Sequence, residues 1–299
     1  MDPTAQIESA IEAAVSGLDH ADAPPKLRQA VRYALFPGGA RLRPRLCLAV
    51  ALAHRDRSNL DGITHDGDVA TAAAAGAAIE FLHCGSLVHD DLPCFDDADV
   101  RRGKPALHLK FGEEIAVLAG DALIVGAFQA AARGAASSPD VIAGLIDILA
   151  SATGMPFGII AGQAWESENG IDLSRYHRAK TGALFVAAVE AGALVGRGDA
   201  ASWRKLGSAL GEAYQVADDL RDLAQSDADY GKTAGRDTAL GRPSAAVELG
   251  VSAAVTKVRN LIDEGLDAVP ECPGRGQLRA MIEVETRRFV PEKLAHLAA

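Results

Sequence analysis

Six aspartates in two short stretches are the residues of this chain whose types and spacing best suit chemistry. The first stretch reads HDDLPCFD and the second, much later in the chain, reads YQVADDLRD. Like charges repel one another, so carboxylates crowded in this way need cations to compensate them. Mg²⁺ prefers oxygen ligands, and its protein sites usually combine one or two carboxylates with phosphate groups. The predicted metal ligands are Asp90, Asp91, Asp96, Asp218, Asp219 and Asp222.

The first group lies where a long apolar helix is expected to end. Pro93 pushes Leu92 out of the α region, so Asp90 and Asp91 should sit at a helix C-terminus with Asp96 in the turn beyond. That helix end already carries partial negative charge, which makes carboxylates there costly without a cation. The alternative is a solvated loop in which the acids pair with the arginines that follow them.

The second group is predicted to lie on one helix. Asp218 and Asp222 are four residues apart and share a face, and Asp219 is adjacent to that face. The neighbouring Tyr214, Val216, Ala217 and Leu220 indicate a helix packed in the core. The two acidic sites could therefore face each other across a cavity between helices.

Basic residues complete the candidate site. Arg101, Arg102, Lys180 and Lys232 stand beside the aspartates in sequence or on candidate facing segments. Guanidinium and ammonium groups next to carboxylate-bound Mg²⁺ make a site for a diphosphate. Zinc is disfavoured because it would need closely spaced histidines or cysteines, and only His83 and His89 lie near.

Composition indicates the elements that must position these residues. The 299 residues are 48% hydrophobic but only 5% aromatic, and alanine, the best helix former, is abundant. We therefore predict an all-α fold, with 1–299 forming one helical domain. The predicted helices are 4–19, 25–36, 43–55, 67–91, 112–133, 138–152, 155–167, 171–196, 201–223, 243–267 and 275–289.

Charge and hydropathy narrow the setting in which the chain works. The net charge of −10 argues against nucleic acid as a partner. The apolar stretch 69–88 contains Glu80 and His83, which favours a buried helix over a membrane span. The N-terminus lacks a basic segment followed by an apolar one, and the four cysteines fit reduced thiols. We expect a cytoplasmic protein.

Seven stretches together resemble the trans-isoprenyl diphosphate synthases of the polyprenyl synthetase family, and bacterial geranylgeranyl diphosphate synthases most of all. They read FPGGARLRP, LHCGSLVHDDLPCFDDADVRRGKPALH, LAGDAL, AGQAWE, YHRAKTGALF, YQVADDLRD and YGKTAGRD, and they span nearly the whole chain. The resemblance implies mostly antiparallel helices around a deep central cavity, usually in a homodimer. It also implies Mg²⁺-dependent condensation of isopentenyl diphosphate with dimethylallyl, geranyl or farnesyl diphosphate, with Mn²⁺ as a substitute metal.

The resemblance assigns roles residue by residue. The six aspartates would bind the Mg²⁺ ions on the allylic diphosphate, which Arg101, Lys180 and Lys232 would also grip. Thr181 and Gln215 would line the reacting end of the cavity. Isopentenyl diphosphate would be bound by Arg43, His83 and Arg102. The residues expected to carry catalysis are Asp90, Asp91, Asp218, Lys180 and Arg101.

The chain departs from the family pattern at two places. The motif usually read as GGKR has Ala40 in place of the lysine that would hold isopentenyl diphosphate, with Arg41, Arg45 and Lys104 as candidates to compensate. The GQ motif, which commonly continues to an aspartate, here reaches Glu166. These departures raise the alternative of a weakly active or non-catalytic partner subunit. A terpene cyclase with similar Mg²⁺ chemistry would leave the isopentenyl-binding residues idle.

Product length is expected to depend on the helix that ends at Asp90. Gly85 and Ser86 lie one turn before Asp90, where an aromatic residue would close the cavity early, as in related 15-carbon synthases. Gly85 is expected to leave the path open, and Leu82 to close it further down, although Gly85 could instead serve close helix packing. We predict geranylgeranyl diphosphate, a 20-carbon product, with farnesyl diphosphate as the alternative.

Overall fold

The computed structural model describes residues 2–36, 38–55, 66–168, 170, 172–224, 245–290 and 293–294. Helices make up nearly all the regular structure of these residues, as the all-α prediction requires. The α-helices are α1 (Pro3–Ser16), α2 (Pro25–Leu35), α3 (Leu42–Ala53), α4 (Asp66–Asp90), α5 (Leu107–Phe111), α6 (Glu113–Gly134), α7 (Ile142–Thr153), α8 (Ile159–Ala164), α9 (Leu173–His177), α10 (Ala183–Val195), α11 (Arg204–Ala224), α12 (Ala245–Leu249), α13 (Val251–Asp267) and α14 (Arg275–Thr286).

Shorter elements connect these helices. Single 3₁₀ turns lie at Pro139–Val141, Trp165–Ser167 and Ala200–Trp203. A π-helical turn, Arg178–Gly182, joins α9 to α10. Two-residue strands β1 (Val100–Arg101) and β2 (Lys104–Pro105) pair antiparallel just after the first aspartate group.

Helix boundaries follow local side-chain chemistry. The Asp2 carboxylate accepts a hydrogen bond from the Thr4 amide, and Pro3 opens α1 at a position where a missing N–H costs nothing. Gly112 and Gly250 have positive φ angles of 93° and 80°, which L side chains rarely adopt. These glycines separate α5 from α6 and α12 from α13.

Two predicted helices differ from the observed ones for reasons of this kind. The predicted helix 243–267 is divided at Gly250, and its first residues lie outside the described part of the chain. The predicted helix 171–196 is helical from Leu173 to Val195 but changes hydrogen-bond pattern at the π-helical turn. The periodicity of hydrophobic residues in the sequence reveals neither a positive φ angle nor a π-helical turn.

The long helix α4 lies at the centre of the main hydrophobic core. It packs against α6, α3, α1 and α10. Small residues allow these helices to approach closely, since a Cβ on Gly76 would come within 3.0 Å of the Pro44 carbonyl oxygen. A smaller apolar cluster joins α11, α12 and α13 to Phe289. The main core thus packs around α4, and the smaller cluster includes the part of α11 that carries its aspartates.

Two helices are long and apolar enough to cross a membrane by length and composition alone, namely Asp68–Asp90 within α4 and Glu113–Gly134, which is α6. In the most apolar window of α4, 78% of the residues are buried inside the protein, so core packing accounts for its composition, as predicted. In the most apolar window of α6, 44% of the residues are buried. Its outer face exposes Val117, Leu118 and Val125.

Candidate active site

A cavity of about 850 Å³ lies between the helices and is lined by most of the predicted site residues. Its walls come from α3, α4, α6, α7, α8, the π-helical turn, α10, α11 and the segment after α14. Predicted site residues that line it are Arg43, His83, Ser86, Asp90, Asp96, Arg101, Arg102, Lys180, Thr181, Gln215 and Asp218. Lys232 lies outside the described residues.

The first aspartate group follows the predicted geometry. Helix α4 ends at Asp90, and the turn beyond folds back so that the Asp96 amide donates to the Asp90 carbonyl oxygen at 2.9 Å. The Ala98 amide likewise donates to the Asp91 carbonyl at 3.1 Å. Carbonyls left over at the helix end are thereby satisfied. The turn also fixes Asp96 beside Asp90.

Asp90, Asp96 and Glu166 form a cluster of carboxylates that could hold a metal ion. One oxygen from each lies within 4.8 Å of the others. Lys180 lies beside the cluster, with its Nζ 3.4 Å from Asp90 Oδ1 and in an ion pair with Glu166. Gln163 Nε2 also donates to Glu166, at 3.0 Å. Carboxylates with an adjacent ammonium group suit a divalent cation together with an anionic ligand.

Glu166 is a site residue to which sequence reasoning gave no role. It occupies the position where the GQ motif commonly has aspartate, and the structure brings it to the carboxylate cluster from the 3₁₀ turn after α8. The signal was present in the sequence, because glutamate keeps the carboxylate and adds one methylene of reach. Tyr176, whose hydroxyl donates to Glu166, was also missed.

Asp91 faces away from the cavity and pairs with Arg101. Its side chain is buried, and Arg101 Nε donates to both carboxylate oxygens, at 2.9 and 3.2 Å. Burial raises the pKa of Asp91, and the charge of Arg101 partly offsets that rise. Burial works to lower the pKa of Arg101, but Asp91 outweighs it and holds that pKa above its ordinary value. Asp91 therefore fixes the guanidinium that lines the cavity.

The second aspartate group divides in the same way. Asp218 lines the cavity, whereas Asp219 and Asp222 are buried and do not. Asp219 accepts hydrogen bonds from Gln215 Nε2 at 3.0 Å and from the Ala245 amide at 2.8 Å. Gln215 in turn accepts a hydrogen bond from the Thr181 hydroxyl. The arrangement departs from the prediction that all the aspartates face one cavity, because protein donors already hold Asp91 and Asp219.

The π-helical turn aims Lys180 and Thr181 into the cavity. A widened turn in an α-helix shifts the face on which later residues lie, and such turns are frequent at functional sites. Two glycines let neighbouring helices approach it. A Cβ on Gly162 would come within 2.3 Å of the Lys180 backbone nitrogen, and one on Gly211 within 2.6 Å of Gly182 Cα.

A second cationic region lines the cavity beside α4. Arg43 is buried, with its guanidinium carbon 4.5 Å from the Phe185 ring centre and 5.3 Å from that of Tyr214. Burial lowers the pKa of Arg43. The pKa of His83 is lowered well below its ordinary value by burial and by the nearby Arg43 and Arg102. His83 is therefore neutral at neutral pH and can accept as well as donate a hydrogen bond.

Of the predicted chain-length residues, only Ser86 lines the cavity. Gly85 faces α6, where a Cβ would lie 3.2 Å from the Gly120 carbonyl oxygen and 3.3 Å from Leu123 Cβ. Leu82 is fully buried in the core. Gly85 and Leu82, which were expected to border the path of the product, are therefore not among the residues that line the cavity. Successive helical residues point about 100° apart, so Ser86 and Gly85 face different neighbours.

His89, whose role the sequence left open, links α4 to α6. Its Nε2 lies 3.1 Å from the Val117 carbonyl oxygen and 3.7 Å from Asp121 Oδ1. The imidazole occupies space that a side chain at Gly120 would fill, since a Cβ there would come within 2.0 Å of Nε2. His89 thereby braces the helix end that carries Asp90.

Comparison with known proteins agrees with this geometry. The polyprenyl synthetase family model matches residues 24–277. The chain belongs to the polyprenyl synthetase family. It is 46% identical over 290 residues to a geranylgeranyl diphosphate synthase of Cereibacter sphaeroides, and the aligned region covers 97% of each chain. It is 44% identical to the geranylgeranyl diphosphate synthase of Rhodobacter capsulatus, over 95% of each chain.

Solved structures of this family share the fold. A geranyltransferase of Helicobacter pylori, complexed with magnesium and isoprenyl diphosphate, superposes with a TM-score of 0.78 at 28% identity, over 96% of this chain and 98% of the other. An FPP/GFPP synthase of Zymomonas mobilis superposes with a TM-score of 0.75 at 30% identity, over 95% of this chain and 99% of the other. The helical architecture around the cavity is that of the family.

Proposed function

We propose that this chain is a Mg²⁺-dependent prenyltransferase that condenses isopentenyl diphosphate with allylic diphosphates to give geranylgeranyl diphosphate. The observation that carries the proposal is the placement of Asp90, Asp96 and Lys180 at the head of a cavity of about 850 Å³. Apolar side chains, among them Ile124 and Leu184, line the same cavity. A site of this kind suits a substrate with a charged head and a hydrocarbon tail.

The carboxylate cluster fits Mg²⁺. Asp90, Asp96 and Glu166 offer three hard oxygen ligands within 4.8 Å of one another, and Asp218 lines the same cavity. Mg²⁺ needs only a few protein oxygens because substrate phosphates and water complete its shell. Mn²⁺ accepts the same ligands. When bound, the metal supplies charge neutralisation that makes diphosphate a better leaving group.

Protein cations hold the allylic diphosphate. Lys180 and Arg101 line the cavity beside the carboxylates, and Lys232 is proposed to join them. Asp91 and Asp219 act as positioning residues rather than metal ligands, since the first fixes Arg101 and the second fixes Gln215. Thr181, held by Gln215, lies at the reacting end.

Isopentenyl diphosphate binds in the second cationic region, beside Arg43, His83 and Arg102. In the reaction, the allylic C–O bond breaks and diphosphate leaves with the electron pair. The double bond of isopentenyl diphosphate then attacks the allylic carbon and a new C–C bond forms. The resulting cation loses a proton to the released diphosphate, and the C–H electron pair restores an alkene. Apolar walls exclude the water that would otherwise capture the cation.

Two relatives of high identity support a 20-carbon product. The synthases of Cereibacter sphaeroides and Rhodobacter capsulatus are named for geranylgeranyl diphosphate and align over almost their whole length. Ser86, where an aromatic side chain would shorten the cavity, is small. Farnesyl diphosphate synthesis is the second candidate, because neighbouring solved structures carry the name geranyltransferase.

The assembly and compartment are also proposed. The exposed apolar face of α6, with Val117, Leu118 and Val125, suits contact with a second copy in a homodimer. All four cysteines are free thiols, which suits the cytoplasm.

Incorporation of labelled isopentenyl diphosphate tests the proposed reaction. With Mg²⁺ and an allylic diphosphate primer, purified protein is expected to form extractable labelled products, and chelation of the metal is expected to stop their formation. Asp90→Asn is expected to reduce the rate at least about a hundredfold, because it removes a charge from the metal-binding cluster. Asp199→Asn, which changes a carboxylate at a distant helix cap, serves as the control. Label incorporated without primer or metal would contradict the proposal.

A further inference from the structure

Three protein donors converge on the Glu166 carboxylate at the head of the cavity. The Tyr176 hydroxyl donates to Glu166 Oε1 at 2.5 Å, and Gln163 Nε2 donates to Oε2 at 3.0 Å. Lys180 Nζ forms an ion pair with Oε1. A glutamate side chain is flexible on its own, so these donors decide where its carboxylate lies relative to Lys180.

Tyr176 is the most rigid of these donors. Its side chain is buried, with 5% exposed, and it lines the cavity. Its backbone is held at the start of α9, because its amide donates to the Asp172 carbonyl oxygen at 2.9 Å. The Asp172 carboxylate also caps α9 by accepting from the Arg175 amide at 2.8 Å. A tyrosine side chain has only two χ angles, so its hydroxyl is placed at a low cost in conformational entropy.

A second contact ties the segment that carries Glu166 to the segment that carries Tyr176. The Arg175 guanidinium carbon lies 4.6 Å from the centre of the Trp165 ring, a cation–π distance. Trp165 precedes Glu166 in the 3₁₀ turn, and Arg175 precedes Tyr176 in α9. Two successive residues on each segment are therefore paired. The position of Glu166 depends on α9 as well as on α8.

Lys180 depends on this arrangement for its own position. Its Nζ lies 5.9 Å from the centre of the Tyr176 ring and 3.4 Å from Asp90 Oδ1, while it pairs with Glu166. A lysine side chain has many rotamers, and fixing it costs conformational entropy. A cationic group that is already held in place binds a phosphate without that cost. Glu166 thus sets the place of the ammonium group between two carboxylates.

We propose that Tyr176 is a positioning residue, which fixes Glu166 and through it holds Lys180 in place for the allylic diphosphate. The inference rests on the proposed function and adds to it a residue of α9. Without the hydroxyl, the Glu166 carboxylate and the Lys180 ammonium group shift together, which weakens binding of the allylic diphosphate. The second cationic region is lined by other side chains, so binding of isopentenyl diphosphate is unaffected.

Equilibrium binding tests the assignment without relying on turnover. The probe is the thiolo analogue of farnesyl diphosphate, in which sulfur replaces the bridging oxygen, and it is titrated calorimetrically in the presence of Mg²⁺. Tyr176→Phe is expected to weaken its binding about threefold to tenfold, the range for one hydrogen bond, and to leave binding of isopentenyl diphosphate unchanged. Tyr33→Phe is the matched control. It removes a hydroxyl that donates to the Pro105 carbonyl at 2.9 Å outside this cavity, and should bind both ligands as wild type does.

A double-mutant cycle separates an action through Glu166 from a direct contact of Tyr176 with the ligand. Glu166→Ala removes the group on which Tyr176 acts, so adding Tyr176→Phe to it should change affinity for the analogue by less than about twofold. Equal binding of the analogue by Tyr176→Phe and wild type would overturn the assignment. An equal loss of affinity for both ligands would also overturn it, as would the same cost of Tyr176→Phe with and without Glu166.

Product formation from isopentenyl and farnesyl diphosphates is measured separately, so that the two proposals can fail independently. If wild type binds both ligands but forms no product, and Tyr176→Phe selectively weakens binding of the analogue, the proposed function fails and the assignment of Tyr176 stands. If wild type forms product and Tyr176→Phe binds the analogue unchanged, only the assignment fails. If wild type does not bind the analogue, both fail.

Discussion

Asp90 and Asp91 are neighbours in the chain, yet their carboxylates have different surroundings. Asp90 lines the cavity 3.4 Å from Lys180 Nζ, whereas Asp91 is buried against Arg101. The same division separates Asp218 from Asp219 on α11. Adjacent helical residues point in different directions, so a run of aspartates supplies both a carboxylate that faces the cavity and a carboxylate that fixes neighbouring protein groups.

At the residue scale, Ser86→Phe is expected to shorten the product to 15 carbons. The side chain lines the cavity one turn before Asp90, so an aromatic ring there occupies space needed by the longer chain. Gly85→Tyr, in contrast, is expected to lower the thermal stability, because a side chain at Gly85 presses on the backbone of α6. Products are sized by chromatography after incubation with isopentenyl and geranyl diphosphates. A 20-carbon product from a folded Ser86→Phe variant would contradict the assignment.

His177 is expected to make the protein less stable as the pH falls. The pKa of His177 is lowered to about 4, chiefly by burial, which Glu212 opposes and which Lys257 and Lys180 reinforce. The unfolded chain therefore binds a proton between pH 6.5 and about 4 that the folded chain does not. The contribution of this proton to the free energy of unfolding is fully present above pH 6.5 and decreases as the pH falls through that window. At about pH 4.5 the decrease is about 2–3 kcal/mol.

His177→Gln isolates this contribution. The free energy of unfolding is measured in denaturant at neutral pH and at about pH 4.5. From the higher to the lower pH, the variant is expected to lose about 2–3 kcal/mol less than wild type. His20→Gln removes an exposed histidine and should keep the wild-type loss. If His177→Gln and wild type lost stability equally, the buried imidazole would not be the cause.

At the scale of elements, the contact between α8 and the π-helical turn is the most sensitive to small changes. A methyl group at Gly162 would overlap the backbone of Lys180, so Gly162→Ala must displace the turn. We expect a loss of about 1–3 kcal/mol in unfolding free energy and a fall in turnover, because Lys180 and Glu166 move apart. Gly276→Ala, on α14 with open space around it, is the control and should be stabilised slightly. Unchanged turnover in Gly162→Ala would show that the turn tolerates displacement.

The sequence predicted much of the site because its chemistry lies in contiguous motifs. One cavity is lined by Asp90 and Asp96 of the first group and Asp218 of the second, together with Lys180, Thr181 and Gln215. The place of Arg288 in the cavity lining could not be predicted, because it depends on the packing of α14 against α3. The direction in which Gly85 points could have been predicted from helical geometry. One face of α4 carries the cavity-lining residues Glu80, His83, Leu87 and Asp90, and Gly85 does not lie on that face. The π-helical turn gave no signal in periodicity.

At the scale of the whole molecule, the exposed face of α6 is expected to form the contact between the two copies of a homodimer. Val125, 57% exposed, lies in this apolar face, and so Val125→Glu should weaken self-association by placing charge in the contact. Val247→Glu changes an equally exposed valine on α12 and should leave the assembly intact. Light scattering after gel filtration gives the mass in solution. A monomeric wild type, or a Val125→Glu variant that remains dimeric at low concentration, would contradict this surface assignment.

The size of the product tests the central claim most directly. Purified wild type is incubated with Mg²⁺, labelled isopentenyl diphosphate and, separately, the 5-, 10- and 15-carbon allylic diphosphates, and the products are resolved by chain length. All three primers are expected to be extended to 20 carbons and no further. Products that stop at 15 carbons would contradict the geranylgeranyl assignment, and failure to extend any primer would contradict the proposed reaction itself.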